Sequence, residues 1–325
     1  MLSGIQPTGE THLGNYLGAI RSWVRDQHLH DSFHPIVDLH ALTIPQDPAT
    51  LRQKTLDMAI MLLACGLDPE VCTLFVQSHI PEHTQLAWLM ECTAGIGELQ
   101  RMTQFKEKSA KQHGFVSAAL LTYPALQAAD ILLYDADRVP VGDDQRQHLE
   151  LTRDLAIRFN HRYGDVFVVP EHAIPKAAAR VMDLQDPTSK MSKSADSPQG
   201  TVLVLDPPDV IMRKFKRAVT DSGDEVVYDP DGKPGVSNLL SILAAVTGTT
   251  PAAAADGFTQ YGALKVATGD AVVAALRPVQ ERYAALSNDP GEVARLLAVG
   301  AEKARAVASK TYARARDAIG LLAPS

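Results

Sequence analysis

The sequence lacks the features that would mark several kinds of protein. Among its 325 residues there are only three cysteines, Cys65, Cys72 and Cys92. An odd number with no close pair argues against a disulfide framework or a thiolate zinc site. Three reduced, mostly buried thiols in a cytosolic protein are expected instead. No run of about 18 apolar residues offers a membrane span. The start shows no charged-then-apolar stretch of the kind a secretory leader has. A cytoplasmic protein with no membrane contact is therefore expected. Positive charge is also short: Lys and Arg number 31 against 38 Asp and Glu, a net charge of −7. That is not the footprint of a nonspecific nucleic-acid binder. Internal repeats and low-complexity linkers are missing as well.

What is present is the composition of a globular protein. Hydrophobic residues make up 46% of a chain long enough for two domains and a sizeable core. Leu2–Ile5 is a short apolar run ending in Gln6-Pro7-Thr8-Gly9, which predicts a strand and a turn. From His12 to about Asp26, Leu13, Leu17, Ile20 and Val24 recur at helical spacing. Phe33–Val37 and Thr73–Val76 predict further strands, separated by a helix over Leu51–Ala64 that Gly66 stops. This alternation predicts a parallel sheet wrapped by helices. Ser117–Tyr134 predicts a long apolar helix with Pro124 near its beginning. Arg138–Val141 follows as a short strand, Asp143–Asn160 as a polar helix and Val166–Val169 as the last strand. Beyond Asp206 the strand signals stop. Val236–Thr247, Pro251–Gln260, Ala271–Ala285 and Pro290–Gly320 predict helices, with Pro251 and Pro290 suited to first turns. A second, helical half is expected, with the boundary near Lys176–Gln185.

Two segments carry chemistry. The first is Ser3-Gly4-Ile5-Gln6-Pro7-Thr8-Gly9, followed by His12-Leu13-Gly14-Asn15. It leaves the first strand at its C-terminal end, where open parallel sheets bind ligands. Gly9 permits a tight turn. His12 and Asn15 fall in the first turn of the next helix, whose free N–H groups and partial positive charge suit phosphate. Gly14, without a side chain, would let an adenine ring approach the backbone. The plain alternative is an N-cap with a helix glycine, but such a glycine costs roughly 1 kcal/mol against alanine and asks for a packing or ligand reason. The second segment is Lys190-Met191-Ser192-Lys193-Ser194, two lysines on a flexible turn. Alone, it could be any solvated loop.

Together and in this order, the two segments resemble the signature motifs of class I aminoacyl-tRNA synthetases. The likeness narrows to the bacterial tryptophanyl-tRNA synthetase family at Val37-Asp38-Leu39-His40-Ala41-Leu42-Thr43 and at the segment from Gly97-Glu98-Leu99-Gln100-Arg101 to Lys108. It continues at Ala128-Ala129-Asp130-Ile131-Leu132-Leu133-Tyr134, at Val139-Pro140-Val141-Gly142-Asp143-Asp144-Gln145 and at Lys233-Pro234-Gly235-Val236-Ser237-Asn238-Leu239-Leu240. The resemblance implies an α/β fold: a Rossmann-like parallel-sheet catalytic domain over residues 1–180, then the KMSKS loop and an all-helical anticodon-binding domain over 181–325. It implies activation of L-tryptophan with ATP and Mg²⁺, then transfer to the 3′ end of tRNA(Trp), by a homodimer whose interface lies near Gly97–Lys108. ATP contacts would fall on Gln6, Pro7, Thr8, His12, Gly14, Asn15, Gly142, Asp143, Asp144 and Val181, and on Lys190, Met191, Ser192, Lys193 and Ser194. Tryptophan would meet Leu2, Gly4, His40, Gln127, Asp130, Val141 and Gln145.

Elementary chemistry agrees with these roles. Adenylate formation needs positioning and charge stabilisation more than covalent help. Lys190 and Lys193 are mobile charges that can follow a departing pyrophosphate, and Lys108 resembles a further family lysine that reaches the same phosphates. Magnesium, reluctant to shed water, would be carried on the triphosphate. Asp130 stands in an apolar helix. It is either a satisfied core acid or an acceptor for the indole N–H, which can only donate. Tyr123, Gln127 and Asp130 share a helix face, a spacing that also resembles the amino-acid helix of tyrosyl-tRNA synthetases, and many bacterial tryptophan enzymes carry Met at the position of Gln127. A tyrosyl-tRNA synthetase, or a synthetase-like paralogue that binds nucleotide or RNA without charging it, are the alternatives. His79, His83, His113, His148, His161 and His172 show no metal-ligand spacing. A tRNA partner would need local basic surfaces: Arg213-Lys214-Phe215-Lys216-Arg217, or Lys303, Arg305, Lys310, Arg314 and Arg316, either of which could equally be a solvated helix face.

Overall fold

The computed structural model describes residues 1–111, 116–140, 142, 145–173, 180–192 and 198–323, with the backbone alone described at Lys108, Lys111, His172 and Ala173. The first apolar run behaves as a strand. Leu2 and Ile5 bridge in parallel to Phe33 and Ile36, and Ser3 N and Ile5 N donate to Phe33 O and Pro35 O, both at 3.1 Å. On one side lies β1 (Phe33–Ile36), paired in parallel with β2 (Thr73–Val76) so that Phe33 faces Thr73 and Ile36 faces Val76. On the other side, Leu2 N donates to Arg138 O at 3.3 Å. Arg138 begins β3 (Arg138–Pro140), which pairs in parallel with β4 (Glu171–Ala173). The order across is thus β2, β1, the Leu2–Ile5 segment, β3, β4. Every residue of β1 and β2 is buried, as continuous apolar strands covered on both faces must be.

Helices fill the connections. The first helical run is α-helical at Leu13–Asn15 (α1), π-helical at Tyr16–Ile20 and α-helical again at Arg21–Asp26 (α2). A short helix α3 (Asp38–Ala41) follows β1. Helix α4 (Pro48–Cys65) starts at Asp47, whose side chain accepts from Thr50 N at 2.8 Å, and stops at Gly66, where φ is +113°, a left-handed C-cap that glycine adopts without a Cβ penalty. After β2 come α5 (Glu82–Thr93), α6 (Ile96–Arg101), α7 (Thr103–Lys111) and α8 (Ala118–Leu132), and after β3 comes α9 (Arg146–Tyr163). Glu98 both caps α6, accepting from Gly95 N at 2.7 Å, and takes a two-pronged contact from Arg158 of α9 at 2.6 and 2.9 Å. The Arg158 guanidinium holds the Glu98 carboxyl down at about 2.

The second half is helical: α10 (Pro208–Lys216), α11 (Pro234–Thr247), α12 (Pro251–Ala255), α13 (Tyr261–Ser287) and α14 (Pro290–Ala318). Three details differ from expectation. Val166–Val169 is not a strand. The Asn160 side chain satisfies that segment's backbone, accepting from Val166 N and Phe167 N and donating to Phe167 O, and the strand begins at Glu171 instead. Helix α13 starts ten residues earlier than Ala271, at Tyr261. Its Gly269 lies against α10, where a Cβ would come within 2.7 Å of Met212 Sδ. Cys72 is buried and Cys65 half-buried, with burial pushing their thiols up to about 11 and about 12, but Cys92 is exposed.

Helix α14 does not stay with the other C-terminal helices. Its Ala304, Ala308 and Ala315 belong to the same core as Phe75, Leu86, Ala128 and Phe159. At Gly300 a Cβ would sit 1.8 Å from the carbonyl oxygen of Leu74 in β2, so only a glycine permits this approach. Gly300→Ala must push helix and strand apart. It should lower stability by about 2 kcal/mol or more, the usual cost of overpacking a core, read as an earlier midpoint in urea unfolding.

Candidate active site

In a parallel sheet the strand C-termini open on one side, and several candidate residues gather there. The centre is Asp130, on the buried face of α8 and only 3% exposed. Three side chains from three other segments reach its carboxylate. His40 of α3, after β1, approaches Oδ2 through Nε2 at 2.7 Å. Gln77, directly after β2, donates from Nε2 to Oδ1 at 2.7 Å. His83 of α5 approaches the same Oδ1 through Nδ1 at 2.6 Å. Burial alone would raise the Asp130 carboxyl, but the facing imidazoles of His40 and His83 outweigh it and hold it well below the usual carboxylate range. A carboxylate offers about four acceptor sites. Three are filled, leaving one on Oδ2.

Along α8 the same face carries Gln127, which donates to Gln145 Oε1 at 3.3 Å, and Tyr123, whose hydroxyl bonds His148 Nε2 of α9. Tyr123 also meets His40 edge-on, with ring centres 6.1 Å apart. Three expected pocket residues, His40, Gln127 and Asp130, are thus linked through this face, and Gln145 pairs with one of them. Leu2 is buried beside Phe33. Gly4 is exposed and tightly placed, since a Cβ would lie 2.9 Å from Val37 Cγ1. Val141 lies outside the described residues. Gln77 and His83 were missed in the sequence. They sit in an ordinary Gln-Ser-His turn and a helix without a clear apolar stripe, and only the fold brings them to Asp130.

The two motif segments meet at their bases. Gly9 turns with φ +66°. His12 caps α1 reciprocally: its Nδ1 accepts from Asn15 N at 3.3 Å and Asn15 Oδ1 accepts from His12 N at 3.2 Å. His12 bridges antiparallel to Leu203, Leu13 N donates to Val202 O at 2.8 Å, and Val204 N to Thr11 O at 2.9 Å. The lysine-bearing turn stands on a small hairpin in which Met182 bridges Lys190 and Met191 N donates to Val181 O at 3.1 Å. Met191 is buried 3.7 Å from where a Gly14 Cβ would stand, an ordinary contact, whereas that Cβ would crowd the His12 ring at 3.0 Å. Lys190 is exposed, and Thr201 Oγ1 donates to Ser192 O at 3.0 Å. Gln6 and Gly142 are exposed, Pro7 and Val181 buried, Thr8 half-buried. Asp143, Asp144, Lys193 and Ser194, and the Lys108 side chain, lie outside the described residues.

Two further residues brace this region. Asn238 of α11 holds the hairpin by both ends of its amide, accepting from Met182 N and donating to Met182 O, each at 2.9 Å. Lys214 of α10 is buried, donating to Thr201 O at 2.7 Å and Asp206 at 2.6 Å. Lys214 is therefore no surface cation, leaving Arg213, Lys216 and Arg217 exposed around it. The C-terminal basic residues are largely engaged inside the chain. Lys303 donates to Pro69 O at 2.8 Å, Arg305 reaches Glu82 at 3.4 Å, Arg314 grips Asp135 at 2.6 and 2.9 Å, and Arg316 pairs with Asp317 at 2.6 Å. Among the described residues no three His, Cys, Asp or Glu side chains form a group that could hold a metal, and no helix is long and apolar enough to cross a membrane.

A parallel sheet with helices on its flanks, followed by a helical region, is the class I synthetase architecture. The family model described as tRNA synthetases class I (W and Y) matches residues 1–284. A Streptomyces coelicolor protein named tryptophan–tRNA ligase 1 is 56% identical over 100% of this chain and 98% of its own. The crystal structure of tryptophanyl-tRNA synthetase from Mycoplasma pneumoniae superposes with a TM-score of 0.92 at 40% identity, covering 99% of this chain and 97% of that one. The Campylobacter jejuni enzyme, solved with ADP and tryptophan, gives 0.83 at 32% identity over 98% and 99%. The chain belongs to the class I tRNA synthetases of the tryptophan and tyrosine family.

The depressed Asp130 carboxyl has a pH consequence. A folded value below the unfolded one, about 3.9, stabilises the fold above that pH, and the contribution disappears as pH falls through the folded value. The melting temperature of the wild type should exceed that of Asp130→Asn most near neutral pH. The gap should narrow below about pH 4. A gap that stays constant on acidification would mean that the carboxylate is not held ionised by its partners.

Proposed function

We propose that this chain is a tryptophan–tRNA ligase. It activates L-tryptophan with ATP, giving tryptophanyl-adenylate and pyrophosphate, and then transfers tryptophan to the 3′ end of tRNA(Trp). The observation that carries the reading is 56% identity, end to end, with a protein of that name. The site's chemistry supports it. The remaining acceptor position on Asp130 Oδ2 suits a donor-only indole N–H, with His40, Gln127, Gln145, Leu2, Gly4 and Val141 around the amino acid.

In activation, the tryptophan carboxylate attacks the α-phosphorus of ATP and the bond to pyrophosphate breaks. The chain's part is to hold and to neutralise. Gln6, Pro7, Thr8, His12, Gly14 and Asn15 cradle ATP at the start of the first helix, and Gly142, Asp143, Asp144, Val181, Met191, Ser192 and Ser194 contribute further ATP contacts. Lys190, Lys193 and Lys108 offset the charge that grows on pyrophosphate. Mg²⁺ carried on the triphosphate would supply further neutralisation there. Residues 1–180 form the catalytic domain and 181–325 carry the KMSKS loop and the anticodon-binding helices. The exposed cations Lys216 and Arg217, with Arg213 at 4.0 Å from Asp209, suit tRNA phosphates better than Arg314 and Arg316, which are committed to carboxylates. Trp88 and Ile96, 64% and 68% exposed, support a homodimer through the Trp88–Lys108 surface. The work of such a dimer is done in the cytoplasm.

Amino-acid-dependent exchange between ATP and pyrophosphate, measured with all twenty amino acids, should respond to tryptophan alone. Exchange with tyrosine instead would make Tyr123, Gln127 and Asp130 a tyrosine site, and no exchange at all would favour the non-charging paralogue. Lys193→Ala should slow adenylate formation by roughly two to three orders of magnitude while tryptophan binding without ATP barely changes. For the assembly, sedimentation at micromolar concentration should give twice the 35.1 kDa chain mass, and a fully active monomer would remove the dimer from the account.

A further inference from the structure

Behind Asp130 stands a second layer that the reaction chemistry leaves unexplained. His83 is fully buried, and its far nitrogen, Nε2, lies 2.8 Å from the hydroxyl of Tyr134. Tyr134 is itself buried, stacked on Phe33 and close to Phe75 and His83. Gln77 is oriented in the same manner, since its Oε1 accepts from Leu39 N at 3.1 Å and so turns its Nε2 toward Asp130.

We propose that His83 and Tyr134 are specificity-determining positioning residues: the Tyr134 hydroxyl fixes the His83 tautomer that donates from Nδ1 to Asp130 Oδ1, and this keeps Asp130 turned and ionised as an acceptor for the indole N–H. The proposal rests on the tryptophan reading of the site. Its chemistry is one of satisfied valences. One ring proton meets both contacts of His83: Nδ1–H donates to the carboxylate, and Nε2 accepts from the tyrosine O–H. Burial, with the charge of Asp130 adding to it, pushes the Tyr134 phenol far above its ordinary value, so the hydroxyl keeps its proton. Gln77 and His83 then occupy both acceptor positions of Oδ1, and His40 one of Oδ2. The fourth faces the substrate. A ring lacking an N–H leaves that position empty, which is how a site built for a polar partner rejects an analogue without it. Were Tyr134 or His83 unable to hold the tautomer, the carboxylate could rotate or take up a proton, and the rejection would weaken.

The test compares two substrates in pyrophosphate exchange: tryptophan, and the benzothienyl analogue of tryptophan, in which sulfur replaces the indole N–H. Wild type should prefer tryptophan strongly. His83→Leu should lower kcat/KM for tryptophan by about ten-fold to a hundred-fold, the scale of losing one hydrogen bond to a charged group, mostly through KM for tryptophan. It should change the analogue far less and leave KM for ATP as it was. His83→Asn, whose amide nitrogen can stand near Nδ1, should restore much of the preference. Tyr134→Phe, which keeps the ring and its packing, should give a smaller loss with the same selectivity for tryptophan. Equal losses with both substrates, or no rescue by Asn, would overturn the proposal and leave these residues as packing. A wild type that fails to prefer tryptophan over the analogue would instead remove the indole reading of Asp130, on which the proposal stands.

Discussion

A carboxylate placed in an apolar interior must be met by hydrogen-bond donors or it will not stay ionised. Asp130 imposes that requirement on the sheet. Its partners come from the segment after β1, the turn after β2 and helix α5, so the ends of these strands cannot drift without stranding a charge. On the proposed reading, the same contacts that stabilise the buried acid also prepare it to receive the amino acid, so that a substitution there would disturb both stability and recognition.

The second constraint is hydrophobic and joins the motif segments. Leu13, Tyr16 and Leu17 of the first helical run share a core with Val181, Leu184 and Met191 of the hairpin and with Val236, Leu239, Leu240, Leu264, Val272 and Leu276 of the C-terminal helices. The exposed Lys190 therefore stands next to a buried Met191 that is part of a large core. On the proposed reading, a lysine on such a fixed base would follow a leaving group without losing its place. Asn238 reinforces that base from α11 by holding both polar groups of the Met182 backbone.

Much of this was legible in the sequence. The strands at Phe33 and Thr73, the α4 stop at Gly66 and the long apolar helix around Asp130 follow from periodicity and from Gly and Pro, because those features are set by neighbours along the chain. What was not legible depends on side chains meeting across the fold. The Val166–Val169 run has a strand's composition, but the Asn160 amide captures its backbone groups. Helix α10, behind Pro207 and Pro208, was read only as a basic patch, and its Lys214 is in truth a buried strut. His83 carries no motif at all, and its place beside Asp130 exists only once α5 packs on α8. The basic C-terminal residues read as a solvated or nucleic-acid face, whereas three of them, Lys303, Arg305 and Arg314, tie α14 to carbonyls and carboxylates of other segments.

The close seat of Gly300 on Leu74 also sets an order of events during synthesis. A chain emerging from the ribosome presents β2 some two hundred residues before α14 exists, and β2 is paired on one side alone among the described strands. Until α14 arrives, its backbone and the apolar residues of that core stand open, the kind of surface that invites association between nascent chains. The core around β2 therefore cannot finish folding on its own schedule. It waits for a helix from the other end of the chain, which makes a polypeptide interrupted before Pro290 a natural client of chaperones and proteases.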